Sequence, residues 1–402
     1  MARIIVVGAG FAGMSAAARL AKLRHEVVVL ERDDSPGGLL RGVDAGGEPI
    51  PPGPDDVTLP GVFRDLFRKS GRPMDAAIGL TPSGPRRHLM PPSGLRRDRV
   101  VLDLPFGTRG AQHDAVTAAW GTDRWSPWVD ALADPWDALR RSVLEVAVAA
   151  PAADAVAVPL GDWTLERQVR GLRRAARPLA RTLGVGFGAA ADPRRIPAVL
   201  AVSHYVERNF GRWRFDGGAA GLAAALAVRL GERRVTVETG TAVDAPLIEH
   251  GRAVGVRQGG TVRPADVVVW ATGGQTDGDD RARLAVVTLP DEGLLADDLV
   301  IHGERRARVW RVGPRRWAVS TPDGGDPAAV LVAAVPEVRE AAESWQEASG
   351  AVLPRATGVP RPAVETVPGL WVVGGAAVPG VGLEVTGMGT AALAAQLGPV
   401  PR

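Results

Sequence analysis

The sequence predicts an α/β fold: a mostly parallel sheet assembled from separated stretches of chain, with an α+β unit inserted between them. Two observations carry this. Ile4–Val7, Val27–Leu30, Val267–Trp270 and Leu370–Val373 are short apolar runs without alternation, which suits strands buried on both faces. Three of the four then run into a small-residue turn, at Gly8, at Ala271-Thr272-Gly273-Gly274 and at Gly374-Gly375.

The N-terminal run is the most specific. After Ile4–Val7 come Gly8, Gly10 and Gly13, then an Ala-rich helix predicted over residues 11–23. Gly8 permits the tight turn, Gly10 lets the backbone approach a pyrophosphate, and Gly13 lets helix and strand pack closely. The helix start directs unpaired N–H groups and a positive dipole end at the phosphates. The second strand ends at Glu31, about 20 residues on, where a carboxylate accepts the hydroxyls of an adenosine ribose. A 2′-phosphate would meet like charge there. A glycine turn with no ligand is the plainer reading, and the order strand, turn, helix, strand, acid outweighs it.

Glu31-Arg-Asp-Asp-Ser-Pro-Gly37-Gly38-Leu-Leu-Arg41 continues the motif and resembles the glutathione-reductase-like flavoproteins, in the branch holding amine oxidases, protoporphyrinogen oxidases and phytoene desaturases. The resemblance implies a Rossmann-like FAD-binding domain built from discontinuous segments, with an inserted α+β substrate-binding domain. It implies FAD as cofactor, with the paired glycines passing close to its ribityl and pyrophosphate parts and Arg32 or Arg41 adding phosphate contacts.

Composition bounds the rest. The chain has 402 residues and a formal net charge of +3, enough length for two domains. Its only lysines are Lys22 and Lys69, and no basic, aromatic-interleaved cluster points to nucleic acid. It has no cysteine, which excludes disulfides, thiolate metal sites and cysteine-linked flavin. No His/Asp/Glu spacing resembles a metal site. The absence of an apolar leader or spanning run makes a cytoplasmic protein the expectation, with peripheral membrane contact for a lipophilic substrate.

Taken in order, residues 1–79 are expected to form the first part of the FAD-binding domain, with a Pro/Gly-rich loop at 48–54 and a helix over 55–71. Residues 80–215 are the first part of the substrate domain. Strands are expected at Arg87–Met90 and Val100–Leu104 around a Pro/Ser/Gly/Arg turn, followed by helices carrying Trp120, Trp125, Trp128 and Trp136. Those tryptophans either line an apolar cavity or fill a helical core, and packing is the commoner role.

Residues 216–284 return to the FAD-binding domain. Tyr205 to Gly218 resembles the aromatic/glycine crossing of phytoene-desaturase-like proteins, and Ala219–Leu230 reads as the next helix. A strand is expected at Arg234–Val237, and Thr241–Asp244 fits the family's strand near the adenine. Leu247-Ile248 and Ala253–Val256 are expected to form a hairpin. Residues 285–357 complete the substrate domain, with a hairpin at Arg308–Val312 and Arg316–Ser320 and helix over 327–345. Residues 358–402 close the FAD-binding domain with strand, glycine turn and helix. Many relatives carry Asp after the turn glycine, whereas Gly375 follows Gly374 here, a likeness to the desaturases that lack that Asp.

On this resemblance the cofactor-binding residues are Gly8, Gly10, Phe11, Ala12, Gly13, Glu31, Arg32, Gly37, Gly38, Leu39, Arg41, Val243, Ala271, Thr272, Gly273, Gly374, Gly375, Glu384, Val385 and Thr386. The expected reaction is desaturation, an FAD-dependent removal of hydride from an apolar small molecule. The electron acceptor, oxygen, quinone or other, is left open. No catalytic acid or base stands out: His204, His302, Glu384 and Arg311 lie near motifs, and His88 and His113 in the insert, but a structural role is the commoner one for each. A flavin amine oxidase or protoporphyrinogen-oxidase-like enzyme is the runner-up, since neither lysine is placed to hold a water at the flavin. A flavin-dependent isomerase and a non-catalytic apolar-ligand binding protein also stay open.

Overall fold

A computed structural model of the protein describes residues 1–91, 99–149, 160, 163–172, 174, 176–182, 194, 196–273, 283–322, 324–348, 363–377 and 382–400. The chain opens with β1 (Arg3–Val7), α1 (Phe11–Lys22) and β2 (Glu26–Leu30). β1 is flanked by two parallel neighbours, β2 and Val267–Trp270, in a register that sets Ile4 beside Val27 and Val267. Thr236–Glu238 adds to β2 and Leu370–Val373 to Val267–Trp270, both parallel. Ala363–Val367 then pairs antiparallel, and Val148–Ala149 forms the far edge.

The unbroken apolar runs have a direct cause. Ile4 and Val6 point into the core shared with α1, while Ile5 and Val7 point into a second core with Ala253 and Val256. Both faces of the strand are therefore covered, as a central parallel strand requires. The second cover comes from an antiparallel sheet of Ala245–Glu249, Arg252–Gln258 and Thr261–Pro264.

A separate seven-stranded sheet is mostly antiparallel. Its order is Ser344–Glu347, Arg283–Thr288, Arg316–Thr321, Ala307–Gly313, Asp298–Ile301, Arg86–Met90 and Val100–Leu104. Only the contact of Asp298–Ile301 with Arg86–Met90 is parallel. A small sheet of Asp56–Val57, Trp213–Phe215 and Leu80–Pro82 stands apart from both. Helices between Arg109 and Phe210 enclose their own apolar core, in which Trp125 and Trp136 are buried and Trp120 and Trp128 partly so. Of the two roles open to the tryptophans, packing is the one observed for Trp125 and Trp136.

Several local expectations are corrected. Glu48–Ile50 is a strand paired with Val43–Ala45, because the prolines sit where a two-stranded ribbon leaves N–H groups unneeded. Helix α2 runs only from Pro60 to Ser70, since Pro60 supplies a helix start and Asp56–Val57 is taken by the small sheet. Its buried face is Phe63, Leu66, Phe67 and Ser70. Thr241–Asp244 is not a strand; the strand there is Thr236–Glu238. The helix expected over 327–345 ends earlier, as Pro327–Ala334 and Val338–Ala341, and Trp345 lies in an edge strand. The turn between Met90 and Val100 falls largely outside the described residues, as does Gly274.

Candidate functional site

The strand-to-helix turn after β1 is built for close approach. Gly8 has φ +97° and donates its N–H to the Leu30 carbonyl at 2.8 Å. A Cβ on Gly13 would lie 1.8 Å from the Gly8 carbonyl oxygen, so α1 is seated directly on the turn. A Cβ on Gly10 would meet nothing within 4 Å, so that side of the turn faces open space. No side chain caps α1, and its first-turn N–H groups remain as anion donors.

Glu31 is buried beside the same turn. Its Oε2 accepts from the Ala9 N–H at 2.5 Å and its Oε1 from the Asp33 N–H at 3.0 Å. The loop after Thr236–Glu238 fixes the Glu31 backbone, with Glu31 N–H donating to Glu238 at 2.9 Å and Thr241 N–H donating to Glu31 at 2.7 Å. Each carboxylate oxygen keeps acceptor capacity for a hydroxyl.

Three more small-residue turns close on this one. Gly37 donates to the Ala9 carbonyl at 2.8 Å, and a Cβ on Gly38 would stand 3.2 Å from the Gly10 Cα. A Cβ on Gly8 would be 3.3 Å from Ala271 and Thr272. A Cβ on Gly374 would be 2.8 Å from the Ala12 Cβ and 3.3 Å from Thr386, while one on Gly375 would be 3.7 Å from the Gly273 Cα. The structure thus brings together Gly8, Gly10, Ala12, Gly13, Gly37, Gly38, Ala271, Thr272, Gly273, Gly374, Gly375 and Thr386. The last helix, Leu383–Leu397, starts here without a side-chain cap, a second uncapped helix start beside the first.

Other residues of the expected set are placed differently. Phe11 packs against Phe63, with ring centroids 6.0 Å apart. Val385 is buried in the core of the inserted helices, and Val243 packs in the second core beneath β1. Arg32 is 76% exposed and pairs with Asp33 at 3.6 Å. Arg41 is held by Ser35 and Asp34 and lies 3.7 Å from Asp33, so local acids engage the guanidinium. Leu39 is exposed. Glu384 is buried, but its Oε1 takes both the N–H of Thr58 and, at 3.0 Å, the Thr58 hydroxyl. Burial pushes the Glu384 carboxyl up, against the pull of those two bonds.

The four candidate histidines each contact other residues of the fold. His204 contacts the Ala180 carbonyl at 3.0 Å between Trp125 and Trp128. His88 and His302 face each other at 2.9 Å with stacked rings. His113 pairs with Asp123, and Arg311 with Asp297 and Glu292, at the surface. Among the described residues no group of three His, Asp or Glu forms a metal site.

A buried charge network lies where the sheets meet, and no local sequence signal announced it. Arg86 makes a bidentate pair with Glu207 at 2.8 and 3.1 Å and a further bond to Asp298 at 3.1 Å. Arg308 binds both oxygens of Asp298, each at 3.1 Å. Arg212 bridges Asp56 and Asp298 and reaches Glu207 at 3.8 Å. Burial opposes ionisation of Glu207, yet Arg86 and Arg212 outweigh it and hold the carboxyl down to about 2. Arg212, Arg308 and Arg86 likewise overcome burial to hold Asp298 far below the usual range.

Acid should weaken this fold well above the pKa of ordinary carboxylates. Burial lowers His204 to about 4 and His302 to about 3, and burial with the His302 contact also lowers His88 well below the usual histidine value. A group depressed on folding stabilises above its unfolded value, about 6.5 for histidine, and loses that contribution as pH falls towards the folded value. Asp55, pushed up to about 6 by burial, works in the opposite sense, as does Glu384. The three depressed histidines outnumber the two raised carboxyls, so unfolding takes up protons and stability falls as pH drops from about 6 towards 4.5. Urea midpoints measured across that window check the slope; a flat profile would contradict it.

The parallel sheet, its glycine-turn cradle and the terminal Glu31 place this part of the chain in the Rossmann-like fold class. Residues 6–69 match the family described as an NAD(P)-binding Rossmann-like domain. More particularly, the chain is a distant homologue of the carotenoid desaturases. It is 32% identical over 300 residues to hydroxyneurosporene desaturase of Cereibacter sphaeroides, covering 70% of this chain and 57% of that protein. It is 31% identical over 278 residues to all-trans-zeta-carotene desaturase of Myxococcus xanthus, covering 66% of this chain and 51% of that protein. The chain therefore spans about half the length of the curated relatives it matches. In fold it is similar to wild-type putrescine oxidase bound to putrescine, with a TM-score of 0.61, 16% identity and 98% of each chain covered. Among the described residues no helix is long and apolar enough to cross a membrane.

Proposed function

We propose that this protein is an FAD-dependent, phytoene desaturase-like oxidoreductase that removes hydride from an apolar small molecule. The observation that carries the reading is the convergence of four small-residue turns on the uncapped start of α1, with Glu31 at the adjoining strand end. The open space over Gly10 and Gly273 fits a cofactor laid along the turn, since a Cβ at either would meet no protein atom within 4 Å. FAD, when bound, supplies the hydride-accepting chemistry.

The chain's own part is to bind and orient. Glu31 would accept the ribose hydroxyls, the first-turn N–H groups of α1 would hold the pyrophosphate, and Gly37-Gly38 and Gly374-Gly375 would let backbone lie against the rest. The start of the last helix would place a positive dipole end beside developing negative charge. The substrate would come from the side of the inserted helices, where Val385 and Met388 join an apolar core, and exclusion of water there favours an apolar ligand. The division into residues 1–79, 216–284 and 358–402 for cofactor and 80–215 and 285–357 for substrate is part of this proposal. The homology to carotenoid desaturases supports a polyene-class substrate.

An amine oxidase using a lysine-held water has less support, because Lys22 and Lys69 are exposed at the last turns of α1 and α2. The test begins with the absorption spectrum of the purified chain and the mass of any released chromophore. Glu31→Gln is expected to weaken FAD binding roughly tenfold, since a charge-assisted acceptor is replaced by a neutral one. Retention of wild-type affinity would remove Glu31 from the site, and anaerobic bleaching by amines but not polyenes would reverse the ranking of substrates.

A further inference from the structure

The segment Asp56-Val57-Thr58 is gripped from two sides. At one end Asp56 is ion-paired to Arg212, which also engages Asp298 of the large antiparallel sheet and Glu207. At the other end Thr58 gives both its N–H and its hydroxyl to Glu384 in the first turn of the last helix. Arg212, Asp56, Thr58, Glu207, Asp298 and Glu384 are all at most 6% exposed. Water is thus largely excluded, and a shift of one partner cannot be compensated by solvent.

A packing contact runs in parallel. Phe215, in the strand that follows Arg212, meets Phe63 edge-on with centroids 5.0 Å apart, and Phe63 meets Phe11 at the start of α1. Arg86 and Arg212 both lie over the ring of Phe106, at 5.2 and 4.7 Å from its centroid. The guanidinium groups are therefore held in place by an aromatic face as well as by carboxylates.

We infer that Arg212 is a positioning residue: through Asp56 and Thr58 it registers the antiparallel sheet against the Glu384 turn of the last helix, and so against the glycine cradle. Its role for a bound cofactor rests on the function proposed above; the mechanical coupling does not. Full-length wild type, Arg212→Lys and the exposed-site control Arg87→Lys are compared by amide hydrogen exchange, with FAD affinity measured by titration. Lysine keeps the charge but cannot span Asp56, Asp298 and Glu207 together. In Arg212→Lys, amides from Thr386 to Thr390 are expected to exchange roughly fivefold faster or more, although Arg212 touches none of them. The control should leave them unchanged.

FAD affinity should fall by a similar factor, which a purely local defect would not produce. Faster exchange confined to Trp213–Phe215 and its two partner strands would overturn the inference. Should Arg212→Lys fail to fold, Thr58→Val reads the coupling in reverse: it should speed exchange at Leu299–Ile301, and unaltered exchange there would overturn it equally. If the wild type binds no FAD, the cofactor reading fails while the exchange result still decides the coupling.

Discussion

Gly13→Ala is expected to destabilise the protein by about 3 kcal/mol or more and to abolish nucleotide binding. The added methyl group would fall 1.8 Å from the Gly8 carbonyl oxygen, and backbone on both sides cannot yield as a flexible side chain would. Either α1 lifts from the turn or the turn itself deforms, and both move the N–H groups that would face the phosphates. Gly10→Ala provides the contrast. Gly10 has φ −72° and its Cβ would enter open space, so the fold should survive with its denaturation midpoint nearly unchanged while FAD affinity falls. Equal losses of stability in the two variants would refute this division of labour.

Asp298→Ala is expected to cost about 3–5 kcal/mol, read as a shift in the urea midpoint. The carboxylate serves Arg86, Arg212 and Arg308 at once, and its removal leaves the two buried guanidinium groups of Arg86 and Arg212, with the part-buried Arg308, to share Glu207 and Asp56. Asp103→Ala removes a bidentate partner from Arg87, but both side chains of that pair are 43% exposed, and a loss of about 1 kcal/mol or less is expected. A midpoint shift for Asp298→Ala no larger than that of Asp103→Ala would mean that water enters the network.

What was legible in the chain follows from the range of the interactions. β1, α1 and β2 could be read within a residue or so, because an apolar run, three glycines and a terminal acid lie within a single local unit. The turns at Gly37, Ala271 and Gly374 were readable for the same reason, since close backbone approach demands small residues. Proximity to the motif says less about Arg32, Arg41 and Leu39, which the fold leaves at or near the surface. Local acids engage both arginines, and adjacency in sequence does not set side-chain direction. The Arg212 network left even less trace. Its members Asp56, Arg86, Glu207, Arg212, Asp298 and Arg308 are scattered along the chain, and charges at or within apolar strands, such as Asp298 and Arg308, do not by themselves show that they meet. Thr58 carries no motif, and its role emerges only when Glu384 arrives from the far end of the chain.

The neighbours of β1 also govern how the protein is made. Ile4 pairs with Val27 on one edge, but its other edge waits for Val267, and the following strand in turn waits for Leu370. During synthesis the first apolar strand is therefore half-dressed until most of the chain has left the ribosome. Pairing of this kind is long-range, a feature that slows folding in general and leaves a nascent strand edge open to aggregation. A chaperone that shelters this edge during translation would act on the most vulnerable part of the molecule.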